Sequence, residues 1–282
     1  MSRTRIILAS DVHWCHLEWY GASTKDRLDK FVSDIEKEYE TGPFSALLLL
    51  GDYSLDHWLW NVQGSYLNEG ISNTQNFAET YMNRLCMPGV EVRMIAGNHE
   101  QYGDELWAEM TGGYKRKDHL VVGEVLFILL DTYGVHLDPY VHSDGTYCGV
   151  DVDAVRALMA EYPDKKVVLC AHFFAPERES KAFKKLLQEE SRILCMIAGH
   201  NHKSKVVPLG EAFGNKSILF TGHYSYSGEK PDPLVCPWGY RELVITDEGI
   251  TSRYITPANT YVIGEKTTEL PYGSIDEFRL DF

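Results

Sequence analysis

Short apolar runs recur along the chain, most of them stopping at a glycine, an aspartate or a histidine. They occupy residues 5–9, 46–50, 90–96, 125–130, 167–170 and 193–198. A strand covered on both faces reads as a continuous apolar run rather than an alternating one. Between these runs, apolar residues return at helical period over 25–39, 74–85, 152–162 and 180–189. Strands alternating with helices predict an α/β fold.

The last third reads differently. Residues 217–221, 240–246 and 250–256 look like closely spaced strands, with Asp247-Glu248-Gly249 as a hairpin turn. A second, more antiparallel sheet packed on the first would accommodate them. The segment after Pro257 is polar and aromatic without clear period, so it is expected to wrap the surface. The expected organisation is one domain over 1–256 with a tail, 257–282, packed on it.

Composition narrows the class. At 282 residues and 44% hydrophobic, the chain can bury one large core. Its apolar runs fall far short of a membrane span. The stretch after Arg3 and Arg5 lacks the length and cleavage site of a signal peptide. Cys15, Cys86, Cys148, Cys170, Cys195 and Cys236 form no CxxC pair, and we read them as reduced residues of a cytoplasmic protein. The net charge of −14 disfavours an extended nucleic acid. A small phosphoester remains open to an acidic chain when metal ions reverse the charge locally.

The chemistry lies where the runs stop. The first is followed by Asp11-Val12-His13, the second by Gly51-Asp52 and the third by Gly97-Asn98-His99-Glu100. Later ones lead to His172 and to Gly199-His200-Asn201-His202. Ligands of α/β sheets bind outside the carboxyl ends of the strands, so five such ends would converge. Residues 11 and 13 face one ion together if the chain runs on extended, and 200 and 202 repeat the spacing. Asp11, His13, Asp52, Asn98, His172, His200 and His202 are too many ligands for one ion. They suit two ions sharing the Asp52 carboxylate. Such a pair clamps a phosphoryl group and holds a bridging hydroxide for attack on it. His99, beside Asn98, is then free to protonate the leaving oxygen. Mixed nitrogen and oxygen donors suit Mn, Fe or Zn better than Mg alone.

In this order, the five blocks resemble the calcineurin-like metallophosphoesterases over residues 5–202, in particular the smaller bacterial phosphodiesterase-type members. The resemblance implies a four-layer αββα sandwich of two mixed β-sheets flanked by helices. It implies that Asp11, His13, Asp52 and His202 bind one metal and Asp52, Asn98, His172 and His200 the other. His99 would be the acid or the phosphate-contacting histidine. Two positions depart from the family. Leu55, followed by Asp56 and His57, stands where members often carry an acidic residue. Asn201 stands where Thr or Ser is common.

The expected function is hydrolysis of a phosphoester, with phosphodiesters favoured. The alternatives are a phosphomonoesterase acting on a small metabolite or phosphoprotein, and a non-catalytic scaffold with this fold. A DNA nuclease would want a basic groove, and Lys115-Arg116-Lys117 is the one basic run. Trp14, Trp19 and Tyr20, then Tyr53, Trp58 and Trp60, follow the first two blocks and read as loop packing or a substrate wall. His16, His57, His119, His136, His142 and His223 are left over. Of these, His223 follows Thr221-Gly222 just after a strand, in a stretch that could return to the pocket mouth or leave it a surface histidine. His136, Asp138, His142 and Asp144 read as solvated loop polarity rather than a further metal site.

Overall fold

The computed structural model describes residues 3–16, 23–134, 145–225, 236–263 and 266–282. The chain begins with β1 (Thr4–Ala9), α1 (Thr24–Thr41), β2 (Ala46–Leu49) and α2 (Asp56–Gln63). A short pair, β3 (Leu67–Asn68) and β4 (Ile71–Ser72), leads into α3 (Asn73–Leu85), β5 (Glu91–Met94) and α4 (Asp104–Thr111). Next come β6 (Asp118–Val122), β7 (Val125–Leu130), α5 (Val152–Glu161), β8 (Lys166–Ala171), α6 (Lys181–Glu189) and β9 (Ile193–Ala198). The remainder is β10 (Val206–Pro208), β11 (Ser217–Phe220), β12 (Tyr240–Ile245), β13 (Gly249–Thr256), β14 (Asn259–Ile263), β15 (Lys266–Leu270) and β16 (Gly273–Asp281).

Two six-stranded sheets carry the fold, in the orders β16-β13-β12-β1-β2-β5 and β10-β11-β9-β8-β7-β6. Both are mixed. β1, β2 and β5 run parallel, as do β7, β8, β9 and β11, and antiparallel strands flank each set. Successive side chains of a strand point to opposite faces. In β1, Ile6 and Leu8 enter a core with Leu48, Phe127, Val168 and Ile197, between the two sheets. Ile7 and Ala9 enter a second core with Phe31 and Ile35 of α1 and Phe77 of α3. Leu126 and Ile128 of β7 pack outward on Val155 of α5 and Phe183 of α6. The layers are therefore αββα, as the resemblance implies, and both faces of these strands are covered. Each fully buried aliphatic side chain of this kind contributes roughly 1.5–3 kcal/mol.

The carboxyl-terminal third departs from expectation. Residues 217–220 do join the second sheet, where β11 lies parallel to β9. β12 and β13 instead extend the first sheet, β12 lying antiparallel to β1 with Thr4 opposite Ile245. That pairing joins residues more than two hundred positions apart, and no local pattern encodes it. Nor does the segment after Pro257 merely wrap the surface. β14 and β15 form a hairpin, and β16 pairs with β13 as an edge strand. Its outer face meets water, with Ile275 half exposed, so the apolar signal of a buried strand is missing.

A buried charge cluster ties this added strand set to the core. Glu242 of β12 accepts from Arg5 of β1 at 2.8 and 2.6 Å and from Arg253 of β13 at 3.1 Å. Arg5 also reaches Glu38 and the Gly42 carbonyl at the end of α1. Burial pushes the Glu242 carboxyl up, but hydrogen bonds from Arg253 and Arg5 outweigh it and hold the group below its ordinary 4.5. A carboxyl lowered in this way stabilises the fold fully above its unfolded pKa, and the contribution is lost as pH falls through the folded one. Glu242→Gln should therefore lower stability at pH 7 by about 1–3 kcal/mol. In urea melts, the deficit should narrow on acidification below 4.5 and hold steady above it.

Candidate metal centre

β1, β2 and β5 of one sheet and β8 and β9 of the other present their carboxyl ends at one edge of the sandwich, and a polar turn follows each. The first two turns interlock. Asp11 N donates to the Gly51 carbonyl, and the amides of Val12 and His13 both donate to the Asp52 carbonyl, each at 3.0 Å. The chain does not run on extended as the 11/13 spacing suggests. Asp11, His13, Asp52, His200 and His202 have φ of 56, 51, 55, 63 and 49°. Only Glu69 and Asn215 join them as non-glycine residues with positive φ among the described residues. The left-handed region disfavours side chains by roughly 1–2 kcal/mol per residue, so strain is concentrated at these turns. Curling rather than extension brings the side chains together.

They gather in two groups that meet at Asp52. Nitrogen and oxygen atoms of Asp11, His13 and His202 lie within 4.8 Å of one another, as do those of Asp52, His172 and His200. A third set, His13, Asp52 and His99, bridges the two. Asp52 Oδ2 stands 3.2 Å from His172 Nε2 and 3.3 Å from His13 Nε2. Asn98 Oδ1 lies 2.9 Å from His172 Nε2 and 2.8 Å from His200 Nδ1. Asp11 Oδ1 lies 3.3 Å from His202 Nε2 and 3.7 Å from His13 Nε2. His99 Nε2 is 3.8 Å from Asp52 Oδ2, and its amide donates to Asp52 Oδ1 at 3.2 Å.

These donors fit a pair of cations. Asp11 Oδ1 is buried and accepts no hydrogen bond among the described residues. The imidazoles of His202 and His13 face it at 3.3 and 3.7 Å, and a buried carboxylate oxygen of that kind stays costly without a positive partner. The loops also close more tightly than side chains allow. A Cβ on Gly97 would land on the Asp52 carboxylate and amide, and one on Gly199 on Ser10 Oγ and Asp11 Oδ2. Electrostatically the site is polarised. Burial works to raise Asp52, yet the imidazoles of His172 and His99 hold it well below the carboxylate range. Burial likewise opposes the charged form of His172, but Asp52 raises it to about 9. Burial lowers His99 to about 3, and burial and then His172 lower His200 to about 4.

The calcineurin-like phosphoesterase family profile matches residues 4–204, well over half of the chain and all five polar turns. The chain belongs to this family. Membership makes it a metal-dependent phosphoester hydrolase, and the two donor groups correspond to a dinuclear divalent centre. The sequence matches no curated protein. Among solved structures, the chain is similar to a dimetal phosphatase from Danio rerio, at TM-score 0.63 and 13% identity over 99% of this chain and 98% of that one. It is similar to the purple acid phosphatase PPD1 of yellow lupin, at TM-score 0.54 and 11% identity over 90% of this chain and 52% of the other. A third likeness is to GAP50, the anchor in the inner membrane complex of Plasmodium, at TM-score 0.53 and 11% identity over 96% and 89%. At these identities the likenesses establish the fold.

Around the donors of this phosphoesterase stand supporting residues, and the sequence pointed to only some of them. Glu100, the last of the Gly97–Glu100 quartet, accepts from the amides of Asp52 and Gly97 at 2.9 Å and of Ser54 at 2.8 Å. Burial and then Asp52 push its carboxyl up to about 8, against those donors. Its place in the quartet was the available signal. Tyr53 donates to the carbonyls of Leu49 and Ile95, joining the ends of β2 and β5. Ser225 Oγ meets His13 Nδ1 at 2.9 Å, and nothing near position 225 foretold it. His223 does return to the site: its ring stacks on His202 at 4.9 Å and 6°.

The departures from the family are structural. Asp56 is buried and accepts from the amides of Asn73 and Thr74 and from the Tyr102 hydroxyl, so it anchors the start of α3. Leu55 packs with Cys15 and Leu59, and the Asn201 amide donates to the Gly199 carbonyl. The aromatics are packed too. Trp14 meets Tyr81 edge-on, Trp60 stacks on Tyr66, Tyr53 stacks on Phe77, and Trp58 covers Leu55 and Leu59. His16 lies against Asn73, His57 donates its amide to the His99 carbonyl, and His119 meets the Tyr162 hydroxyl. Within the basic run, Arg116 is buried against Asp131. Trp19, Tyr20, His136, Asp138, His142 and Asp144 lie outside the described residues.

Gly97 offers a direct check, because its φ is not in the left-handed region and alanine adds only a methyl group. Gly97→Ala should displace the Asp52 carboxylate and reduce bound metal, measured by elemental analysis after dialysis. Misplacement on the scale of 1 Å costs on the order of a hundredfold in rate.

Proposed function

We propose that this phosphoesterase hydrolyses phosphodiesters at a centre held by Asp11, His13, Asp52, Asn98, His172, His200 and His202. The observation that supports this reading most is the place of Asp52, which belongs both to the group with His172 and His200 and to the bridging set with His13 and His99. Two divalent ions bound there, Mn, Fe or Zn by the mixed donor set, would supply an activated water and neutralise charge on the phosphoryl oxygens. The chain does the rest. Asp52, held by its own amide on Glu100 and by the His99 amide on Oδ1, is fixed between the groups. His99 Nδ1 accepts or donates no hydrogen bond among the described residues, and burial keeps the ring neutral before substrate arrives. Its N–H can hydrogen-bond to the phosphoryl or leaving oxygen and stabilise the negative charge that builds there.

A diester carries one negative charge where a monoester near neutrality carries close to two. Arg116, in the one basic run, is locked to Asp131, and the chain carries −14. This balance favours the less charged substrate. The second reading, a phosphomonoesterase, rests on the names of the zebrafish and lupin structures. We read the chain as one domain, since β16 is paired into the first sheet, and as cytoplasmic, since no disulfide joins cysteines among the described residues. No helix among the described residues is long and apolar enough to cross a membrane.

The test is turnover of bis-p-nitrophenyl phosphate against p-nitrophenyl phosphate by stripped protein with and without Mn²⁺. Metal-dependent turnover favouring the diester is expected. Asp52→Asn should abolish it, and His99→Ala should cost about 10²–10³-fold with metal retained. Preference for the monoester would replace the substrate class. Absence of both activities in protein holding two ions would favour a scaffold, the role that the name of GAP50 describes.

A further inference from the structure

We infer that Ser225 is a positioning residue that sets the metal affinity of one half of the centre, the Asp11–His13–His202 half, by holding the ring of His13. The inference rests on the reading that the donor groups bind two ions. The two halves are braced by different means. His172 Nδ1 donates to the Leu50 carbonyl at 2.7 Å, a backbone group that no side-chain change removes. His13 Nδ1 instead meets the Ser225 hydroxyl at 2.9 Å, across 212 positions of sequence. His13 Nε2 faces Asp52 Oδ2 at 3.3 Å and Asp11 Oδ1 at 3.7 Å, so its lone pair has to be free for a cation. A neutral imidazole carries one proton. With Nε2 committed to the centre the proton belongs on Nδ1, and Ser225 Oγ is the acceptor that keeps it there.

The segment that carries Ser225 is built to hold that position. The Tyr224 amide donates to the Asp11 carbonyl at 3.1 Å. Arg27 of α1 is buried, and its Nη1 donates to the carbonyls of Val12, at 3.3 Å, and Tyr224, at 3.0 Å. Those two carbonyls lie immediately before His13 and Ser225, so one guanidinium spaces the two residues. Trp238 Nε1 donates to the Ser225 carbonyl at 2.7 Å. Two residues earlier, His223 is fixed by donating to the Cys236 carbonyl at 3.0 Å and accepting from the Ser225 amide at 3.3 Å. In that orientation it stacks on His202. The segment thus touches Asp11, His13 and His202. Among the described residues, none of the hydrogen bonds or ring contacts of Tyr224, Ser225 and His223 reaches Asn98, His172 or His200.

Partners of metal-bound imidazoles typically account for 10–100-fold in metal affinity. The probe is Zn²⁺, titrated into the stripped full chain against a chromophoric chelator. The unaltered chain should show two binding steps. Ser225→Ala should weaken one step about ten- to a hundredfold and leave the other as it was. The surviving step should be the one that His172→Ala removes. In the Zn²⁺-loaded chain, the imidazole N–H proton resonance of His13, assigned with His13→Gln, should be lost or exchange faster in Ser225→Ala while that of His172 persists. A general loosening of the fold would not separate the two rings. Unchanged binding, equal weakening of both steps, or an unaltered His13 resonance would overturn the inference. Fewer than two steps in the unaltered chain would overturn the two-ion reading itself.

Discussion

A carboxylate taken almost wholly out of water has to be compensated where it stands, and Asp52 is 2% exposed. Three imidazoles, those of His13, His99 and His172, lie within 4 Å of its outer oxygen. The His99 amide meets the other oxygen, and the Asp52 amide is itself held by Glu100. Much of the surrounding structure can be read as the means of keeping that one group in place. The first loop is hydrogen-bonded onto the Asp52 carbonyl, the third passes at Gly97 where only a glycine fits, and the fourth brings His172 against it.

Such closeness has a conformational cost that the core must offset. Left-handed backbone at Asp11, His13, Asp52, His200 and His202 persists only because neighbouring structure over-determines it. Two sheets, packed face to face and covered by helices outside, anchor the strands whose ends carry these turns. Tyr53 pins the ends of β2 and β5 through their carbonyls. Asp56 fixes the start of α3 beneath the second loop. Trp14, Tyr53, Trp58 and Trp60 are drawn into this support, so they pack the loops.

Where a strand is buried on both faces, its apolar run announces it. β1, β2, β7, β8 and β9 were legible for that reason, and the helices α1, α3, α5 and α6 were legible from one apolar face each. The elements that escaped notice are short or half wet. α2 and α4 are eight residues each, too brief for periodicity to stand out. β16 is an edge strand with alternating charges and little apolar signal. The partners of β12 and β13 were misjudged because strand pairing is settled by distant residues, not by the strand itself.

By itself, the sequence determined the residue types and their order: seven candidate donors at the ends of five strands, and the histidine beside one of them. Each sits next to a local pattern that is readable within a few residues, an apolar run ending in a polar turn. Only the tertiary structure decided how those turns meet. It curled the backbone where extension was expected, shared Asp52 between two groups, and brought Ser225 and His223 back to His13 and His202. The physical reason is range. A donor is chosen by its own chemistry, whereas the side chain that orients it is selected by proximity in the folded chain, and that proximity joins positions 212 apart.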